Sequence, residues 1–140
     1  MLYWVLGACY FTGTLWWVFE NWVRVEGVLG LEPHPFQFWL IRFHTTFAFC
    51  LLVALGYLFK SHIQPGLKKG KKLKTGVSLI CNFLVLAVSA LPILYSADGP
   101  LRVISAFVHT YLGIGLPVFL VLHLRKIVKL KARVRGREHS

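Results

Sequence analysis

The sequence predicts an all-α integral membrane protein, a bundle of four transmembrane helices with both termini in the cytoplasm. Three observations support this prediction: 56% of the 140 residues are hydrophobic, only 15% are charged, and the apolar residues fall into four long runs. This apolar share is higher than that of an ordinary soluble domain. The number of cysteines is odd and their spacing is wide, which excludes a disulfide framework and a CxxC zinc site. The three cysteines are Cys9, Cys50 and Cys81.

The four apolar runs have the length of membrane-crossing helices. Each contains roughly 18 to 24 residues, enough for a helix to cross a hydrocarbon core of about 30 Å. The first run lacks a basic segment ahead of it and a good cleavage site, so we expect a retained helix and not a signal peptide. The predicted spans are about 2–19, 36–59, 76–95 and 101–124, in one domain at 1–125 that is followed by a basic tail at 126–140.

The distribution of charge predicts the orientation. Six lysines lie in the connection 60–74 and seven Lys or Arg residues follow residue 124, which together make 13 of the 16 basic residues. Basic loops stay in the cytoplasm, so the first and third connections face outward. The basic runs contain no interleaved aromatic residues, so the expected partner is the lipid membrane and no nucleic acid. Four tryptophans mark the predicted outer boundary: Trp16, Trp17, Trp22 and Trp39.

Four histidines in or beside the second and fourth spans form two pairs by depth. His44 lies about two turns into the second span, and His62 lies just past its inner end. Their 18-residue spacing is five full turns, so both project from one face if the helix continues that far. His109 and His123, near the two ends of the fourth span, lie about 40° apart. Because both spans run inward, we expect His44 at the depth of His109 and His62 at the depth of His123.

This arrangement favours bis-histidine ligation of haem iron between the two helices. An ionisable side chain inside a membrane is costly and is by default a functional candidate. Gly56 and Gly113 would give a porphyrin room, and Pro117 would open the fourth span. Arg42 and Arg102 are the cations nearest the outer pair, where haem propionates need them. The spacings along the two helices, roughly 27 and 21 Å, differ and require tilt or slanted haem planes.

Other interpretations of these histidines stay open. A histidine in a membrane helix often only bonds to a neighbouring helix, and His62 beside lysines also suits a solvated interface. A mono-haem cytochrome would use His44 and His109 alone. A haem-free structural or assembly subunit would use none of them, and a transporter is disfavoured by the lack of membrane carboxylates and of internal repeats. A zinc or copper site would need three or four converging ligands, whereas these histidines form two pairs at different depths.

Several segments resemble bacterial membrane-bound b-type cytochromes. The chain is similar to the small four-helix cytochrome b-like family related to the membrane subunits of formate dehydrogenase and nickel-iron hydrogenase. The similarity covers roughly residues 34–125. The first span lacks a histidine, whereas some relatives place a ligand there. The matching segments are 34–36 with 42–44, the helix end 56–62, the loop closure 74–76, and the stretch that contains His109, Gly113, Pro117 and His123.

The resemblance implies electron transfer between the quinone pool and a redox partner in the bacterial cytoplasmic membrane. Two non-covalent haem b groups are expected, with His44, His109, His123 and His62 as ligands. A quinone is the second candidate ligand, and no residue in the sequence marks its site. Since 140 residues leave no room for a catalytic domain, we expect a non-catalytic subunit of an oxidoreductase complex. The long outer connection 20–35 is the predicted contact for a periplasmic electron carrier or for other subunits.

Overall fold

The computed structural model contains four long helices and one short β-hairpin among the residues it describes. These residues are 2–28, 30–65 and 74–138, without the side chains of residues 62 and 129–138. A π-helical turn, Phe59–Ile63, continues the second helix. The elements are, in chain order, α1 (Leu2–Trp22), β1 (Arg24–Gly27), β2 (Gly30–Pro33), α2 (Phe36–Leu58), α3 (Lys74–Tyr95) and α4 (Pro100–Glu138).

The four helices are long and apolar enough to cross a membrane. Each candidate span contains the corresponding predicted run, so the prediction of four apolar helices of membrane-spanning length is confirmed. Large apolar side chains such as Trp4, Leu84 and Phe107 lie exposed on the helices, a surface that suits lipid better than water. The candidate spans are Leu2–Trp22, Phe36–Ser61, Lys74–Tyr95 and Pro100–Val128.

The chain divides into two compact units, residues 1–70 and 71–140. In the first unit α1 packs against α2, and in the second unit α3 packs against α4. Each unit is therefore a pair of neighbouring helices with its own interface. The bundling of all four helices and the cytoplasmic position of both termini stay predictions, and residues 66–73 of the lysine-rich connection lie outside the described residues.

The outer connection contains a β-hairpin that the sequence did not lead us to expect. β1 and β2 are antiparallel, with Arg24 opposite Pro33 and Gly27 opposite Gly30. Gly30 has a φ of 119°, a conformation that glycine adopts without steric cost. The hairpin brings the two ends of the connection together, because its strands follow α1 and precede α2 almost directly.

The inner end of the second span departs from a regular α-helix. Residues Phe59–Ile63 form a π-turn, and the backbone N–H of Gln64 bonds to the carbonyl of Phe59. A π-turn closes five residues apart and not four, so it takes more residues per turn. The prediction that His44 and His62 share a face applies if a regular α-helix continues to residue 62, and the π-turn departs from that geometry. The side chain of His62 lies outside the described residues, so its role as a ligand stays a prediction.

The fourth helix is longer than its predicted span. α4 has 39 residues, and the segment predicted as a separate basic tail is helical through Glu138. Pro117 lies inside α4, which continues on both sides of it. Proline has no N–H to donate, so the carbonyl of Gly113, four residues earlier, loses its helical hydrogen bond. The helix therefore accommodates Pro117 without ending there.

Candidate histidine ligand sites

His44 lies at the contact between α2 and α1. Its Nδ1 is 2.9 Å from the carbonyl oxygen of Cys9 and 3.8 Å from the Sγ atom of the same residue. Gly13, one turn further along α1, lies against the imidazole: a Cβ at Gly13 would be 2.7 Å from the Cε1 atom of His44. Real Cβ atoms essentially never lie this close to another heavy atom. The position of the His44 ring therefore depends on glycine at residue 13.

The bond to Cys9 determines which nitrogen of His44 carries the proton. A carbonyl oxygen only accepts hydrogen bonds, so Nδ1 is the donor and Nε2 of the neutral ring keeps its lone pair. The buried hydroxyl of Thr12 lies 3.1 Å from the same carbonyl oxygen and 2.8 Å from that of Ala8. Histidines that bind metals commonly donate their other N–H to a carbonyl in this way, which fixes the orientation of the ring.

His109 also bonds through Nδ1 to a backbone carbonyl of the preceding helix, in the second unit. Its Nδ1 is 3.0 Å from the carbonyl oxygen of Leu86 and 3.2 Å from the Oγ of Ser89. The hydroxyl of Ser89 donates to the carbonyl of Leu86 at 3.2 Å. As in the first unit, the carbonyl belongs to the preceding helix, and a hydroxyl three residues later bonds to that carbonyl. His109 therefore also carries its proton on Nδ1 and its lone pair on Nε2.

His123 contacts the beginning of α3. Its Nδ1 lies 3.4 Å from the Oγ1 of Thr75. A hydroxyl both donates and accepts, so this contact does not determine the tautomer of His123. Thr75, Asn82 and Ser89 are seven residues apart and form one stripe on α3. Asn82, in the middle, is 5% exposed, and its amide atoms have no hydrogen-bond partner among the described residues.

The two arginines predicted beside the outer pair lie in different surroundings. The guanidinium carbon of Arg42 is 3.7 Å from the ring centroid of Phe38 and 5.9 Å from that of Trp39, which is a cation–π arrangement. Arg102 forms an ion pair with Asp98, four residues earlier on the chain. Arg42 thus stacks on two aromatic rings in its own unit. The predicted role of both arginines toward haem propionates stays a prediction.

Of the two predicted glycines, Gly56 borders open space and Gly113 lies within ordinary contact distance of a neighbouring side chain. A Cβ at Gly56 would meet nothing within 4 Å, and a Cβ at Gly113 would meet only Leu86, at 3.9 Å. Gly13 makes a much closer contact, which was not predicted. Cys9 and Gly13 are small residues four apart, a spacing that lets membrane helices approach closely. This spacing was the signal that could have found the contact of α1 with His44.

Among residues 2–28, 30–65 and 74–138, no three His, Cys, Asp or Glu side chains come together as a metal site. This finding concerns zinc or copper shells made only of protein ligands. A bis-histidine haem iron takes two ligands from the protein. The predicted pairs, His44 with His109 and His62 with His123, each combine residues of both units and stay predictions.

No family model, curated protein or solved structure matches this chain. A function is therefore inferred from the sequence motifs and from the contacts that the histidine side chains make.

Proposed function

We propose that this chain is a membrane b-type cytochrome that passes electrons between the quinone pool and a redox partner. The observation that carries the proposal is the bonding of His44 and His109 through Nδ1 to backbone carbonyls. In both neutral rings the proton is on Nδ1, so the lone pair is on Nε2, the nitrogen that a metal ion binds. This chemistry fits axial ligation of haem iron.

The recurrence of one arrangement in both units supports ligation over simple helix packing. A histidine that only joins two helices is satisfied through either ring nitrogen. His44 and His109 both use Nδ1, and both bond to a carbonyl that also receives a hydroxyl, from Thr12 or Ser89. The carbonyls that accept these bonds belong to Cys9 and Leu86, two residues whose side chains are chemically different. The backbone arrangement is common to both units, and it orients the ring and strengthens the imidazole as a donor to a metal.

The full proposal has two pairs of ligands. His44 and His109 would hold one haem b, while His62 and His123 would hold the other. When bound, a haem b supplies a one-electron couple between ferric and ferrous iron. Two ligands from the protein would leave the iron no position for oxygen, which favours electron transfer over oxygen binding. Arg42 and Arg102 would balance the propionates of the outer group.

The proposed setting is a bacterial cytoplasmic membrane, with the chain as a non-catalytic subunit of an oxidoreductase complex. Four apolar helices of spanning length support a multi-pass membrane location. The β-hairpin that follows α1 is the proposed contact for other subunits or for a periplasmic electron carrier, because it carries polar and charged residues out of the apolar spans.

A mono-haem cytochrome is the second candidate. It is favoured by the contact of His123 with Thr75, whose Oγ1 lies 3.4 Å from Nδ1, because a histidine that joins α4 to α3 needs no iron. In this form only His44 and His109 bind iron, and His123 bonds to α3.

The haem content of the purified full-length protein tests the proposal. We expect a pyridine haemochrome assay to find two haem b groups per chain, and dithionite-reduced spectra to show a bis-histidine b-type centre. One group per chain would support the mono-haem candidate. A protein that is helical by circular dichroism but stays colourless after expression with added haem would contradict both, and would support a structural or assembly subunit.

A further inference from the structure

We propose that a groove in the first unit binds the ring of a membrane-soluble hydroquinone. The groove lies where the end of α1, the end of β2 and the beginning of α2 meet. Its volume is about 370 Å³, within the range of roughly 300–1,000 Å³ that is usual for small-molecule pockets. This inference rests on the proposed function and locates its quinone site. Apolar walls come from Trp16, Phe38 and Ile41, and polar groups come from Glu20, His34 and Gln37.

The strongest indication of a ligand is the side-chain amide of Gln37. Gln37 is 4% exposed, and its Nε2 donates to the Oε2 of Glu20 at 2.9 Å. A carboxylate only accepts, so this contact fixes which side of the amide is nitrogen. The amide oxygen, Oε1, is buried and has no hydrogen-bond partner among the described residues. Buried polar atoms are nearly always paired, so this oxygen indicates a bound group that donates a hydrogen bond.

Two neighbours complete the polar end of the groove. The carboxylate of Glu20 is held by an ion pair with Arg24 as well as by Gln37. The Nδ1 of His34 accepts the backbone N–H of Phe36 at 3.1 Å, so the neutral ring carries its proton on Nε2. The groove therefore offers acceptors on Gln37 and Glu20 and a donor on His34.

These groups favour the reduced form of a quinone over the oxidised form. Each hydroxyl of a hydroquinone both donates and accepts, so it can donate to the Oε1 of Gln37 and accept from His34. A quinone carbonyl only accepts, which would leave Oε1 without a partner. We therefore expect tighter binding of the hydroquinone.

The surroundings of the groove favour a flat apolar ring over a phospholipid head group. Trp16 and Phe38 supply aromatic faces, against which a ring stacks. Of the described residues that line the groove, none is a lysine or arginine, and Glu20 would repel a phosphate. Trp16 also belongs to the predicted outer aromatic belt, the depth at which the polar head of a lipid-soluble ring lies.

Calorimetric titration of the full-length protein in nanodiscs tests the proposal. The probes are menadiol, kept reduced under anaerobic conditions, and menadione, its oxidised form. The test variant is Gln37→Met, which keeps the length of the side chain and removes the amide. We expect this variant to bind menadiol about tenfold more weakly, the loss expected for one hydrogen bond. Its affinity for menadione is expected to change less than about twofold.

Gln64→Met is the matched control, because Gln64 is exposed just after the π-turn of the same helix. We expect it to bind both probes as the unaltered chain does. Ile41→Trp is a second variant, which fills the groove from its apolar wall and leaves the bond between Gln37 and Glu20 in place. We expect Ile41→Trp to abolish menadiol binding. This variant tests the groove independently if the Gln37→Met protein does not fold.

Equal binding of menadiol and menadione would overturn the inference, and so would unchanged menadiol binding by both groove variants. Displacement of menadiol by added phosphatidylglycerol would also overturn it, because that result would assign the groove to a lipid. Haem content, measured on the same samples, separates this inference from the proposed function. Haem without menadiol binding rejects the groove alone, and menadiol binding without haem rejects the cytochrome alone.

Discussion

Replacing His44 with alanine is expected to remove one haem centre, and replacing His109 is expected to remove the same one. Each substitution deletes the Nε2 lone pair together with the bond from Nδ1 to a backbone carbonyl. An iron that loses one of its two protein ligands no longer has the bis-histidine coordination of the proposal. The measurement is the amplitude of the dithionite-reduced α-band per chain, which is expected to fall by about half in each variant if two centres are present.

The double variant His44→Ala/His109→Ala tests whether the two residues serve one iron. If they do, its absorbance equals that of either single variant, since interacting residues give non-additive effects. His44→Ala combined with His123→Ala is expected to remove both centres. His139→Ala, in the polar terminal segment, is the control and should keep the full amplitude. Complete loss of pigment in His44→Ala/His109→Ala, with about half of the amplitude kept by each single variant, would show that the two residues serve different centres, contrary to the proposed pairing.

The second large effect is expected at Gly13. In Gly13→Leu the new Cβ would lie 2.7 Å from Cε1 and 2.8 Å from Nδ1 of His44, so the imidazole must move away. The bond from Nδ1 to Cys9 is then lost, and the centre that depends on His44 is lost with it. Overpacking of an interface costs about 1–3 kcal/mol. We expect a lower reduced α-band and a lower midpoint of thermal unfolding in detergent.

Gly7→Leu is the matched control for this prediction. Gly7 lies on the same helix, and a Cβ there would meet nothing within 4 Å. A leucine at Gly7 is therefore expected to leave the pigment unchanged and to alter stability by about 0.5 kcal/mol or less. Equal loss of pigment from Gly7→Leu and Gly13→Leu would show that bulk anywhere on α1 is harmful, and that Gly13 has no particular role toward His44.

The helices were predictable because membrane spans are set by composition. A run of about 20 apolar residues is distinctive in any sequence, and the ends of α3 agree with the predicted run within two residues. The hairpin was not predictable in the same way. Val25 lies opposite Glu32 and Glu26 lies opposite Leu31, so each pair combines an apolar and an acidic residue. Without one apolar face, the strands lack the alternation by which a half-buried sheet is recognised.

The histidine sites were predictable in part. Depth and chemistry selected His44 and His109, but a helical wheel gives a face of one helix and not the helix that packs there. The contacts of His44 with α1 and of His109 with α3 depend on how closely two backbones approach. Gly13 sets that distance in the first unit, and a glycine has no side chain whose chemistry would indicate a contact. The π-turn after α2 was not predictable from the sequence, because no proline or glycine lies between residues 59 and 63 to indicate an irregular turn.

The three thiols of this chain differ in accessibility. Cys9, whose carbonyl binds His44, is 8% exposed between α1 and α2, while Cys50 and Cys81 are exposed. A lipid-permeable maleimide reaches the two exposed thiols directly, but it reaches Cys9 only when the first two helices separate. The labelling rate of Cys9 in the unaltered chain therefore measures the separation of α1 from α2, and the rates of Cys50 and Cys81 serve as internal references.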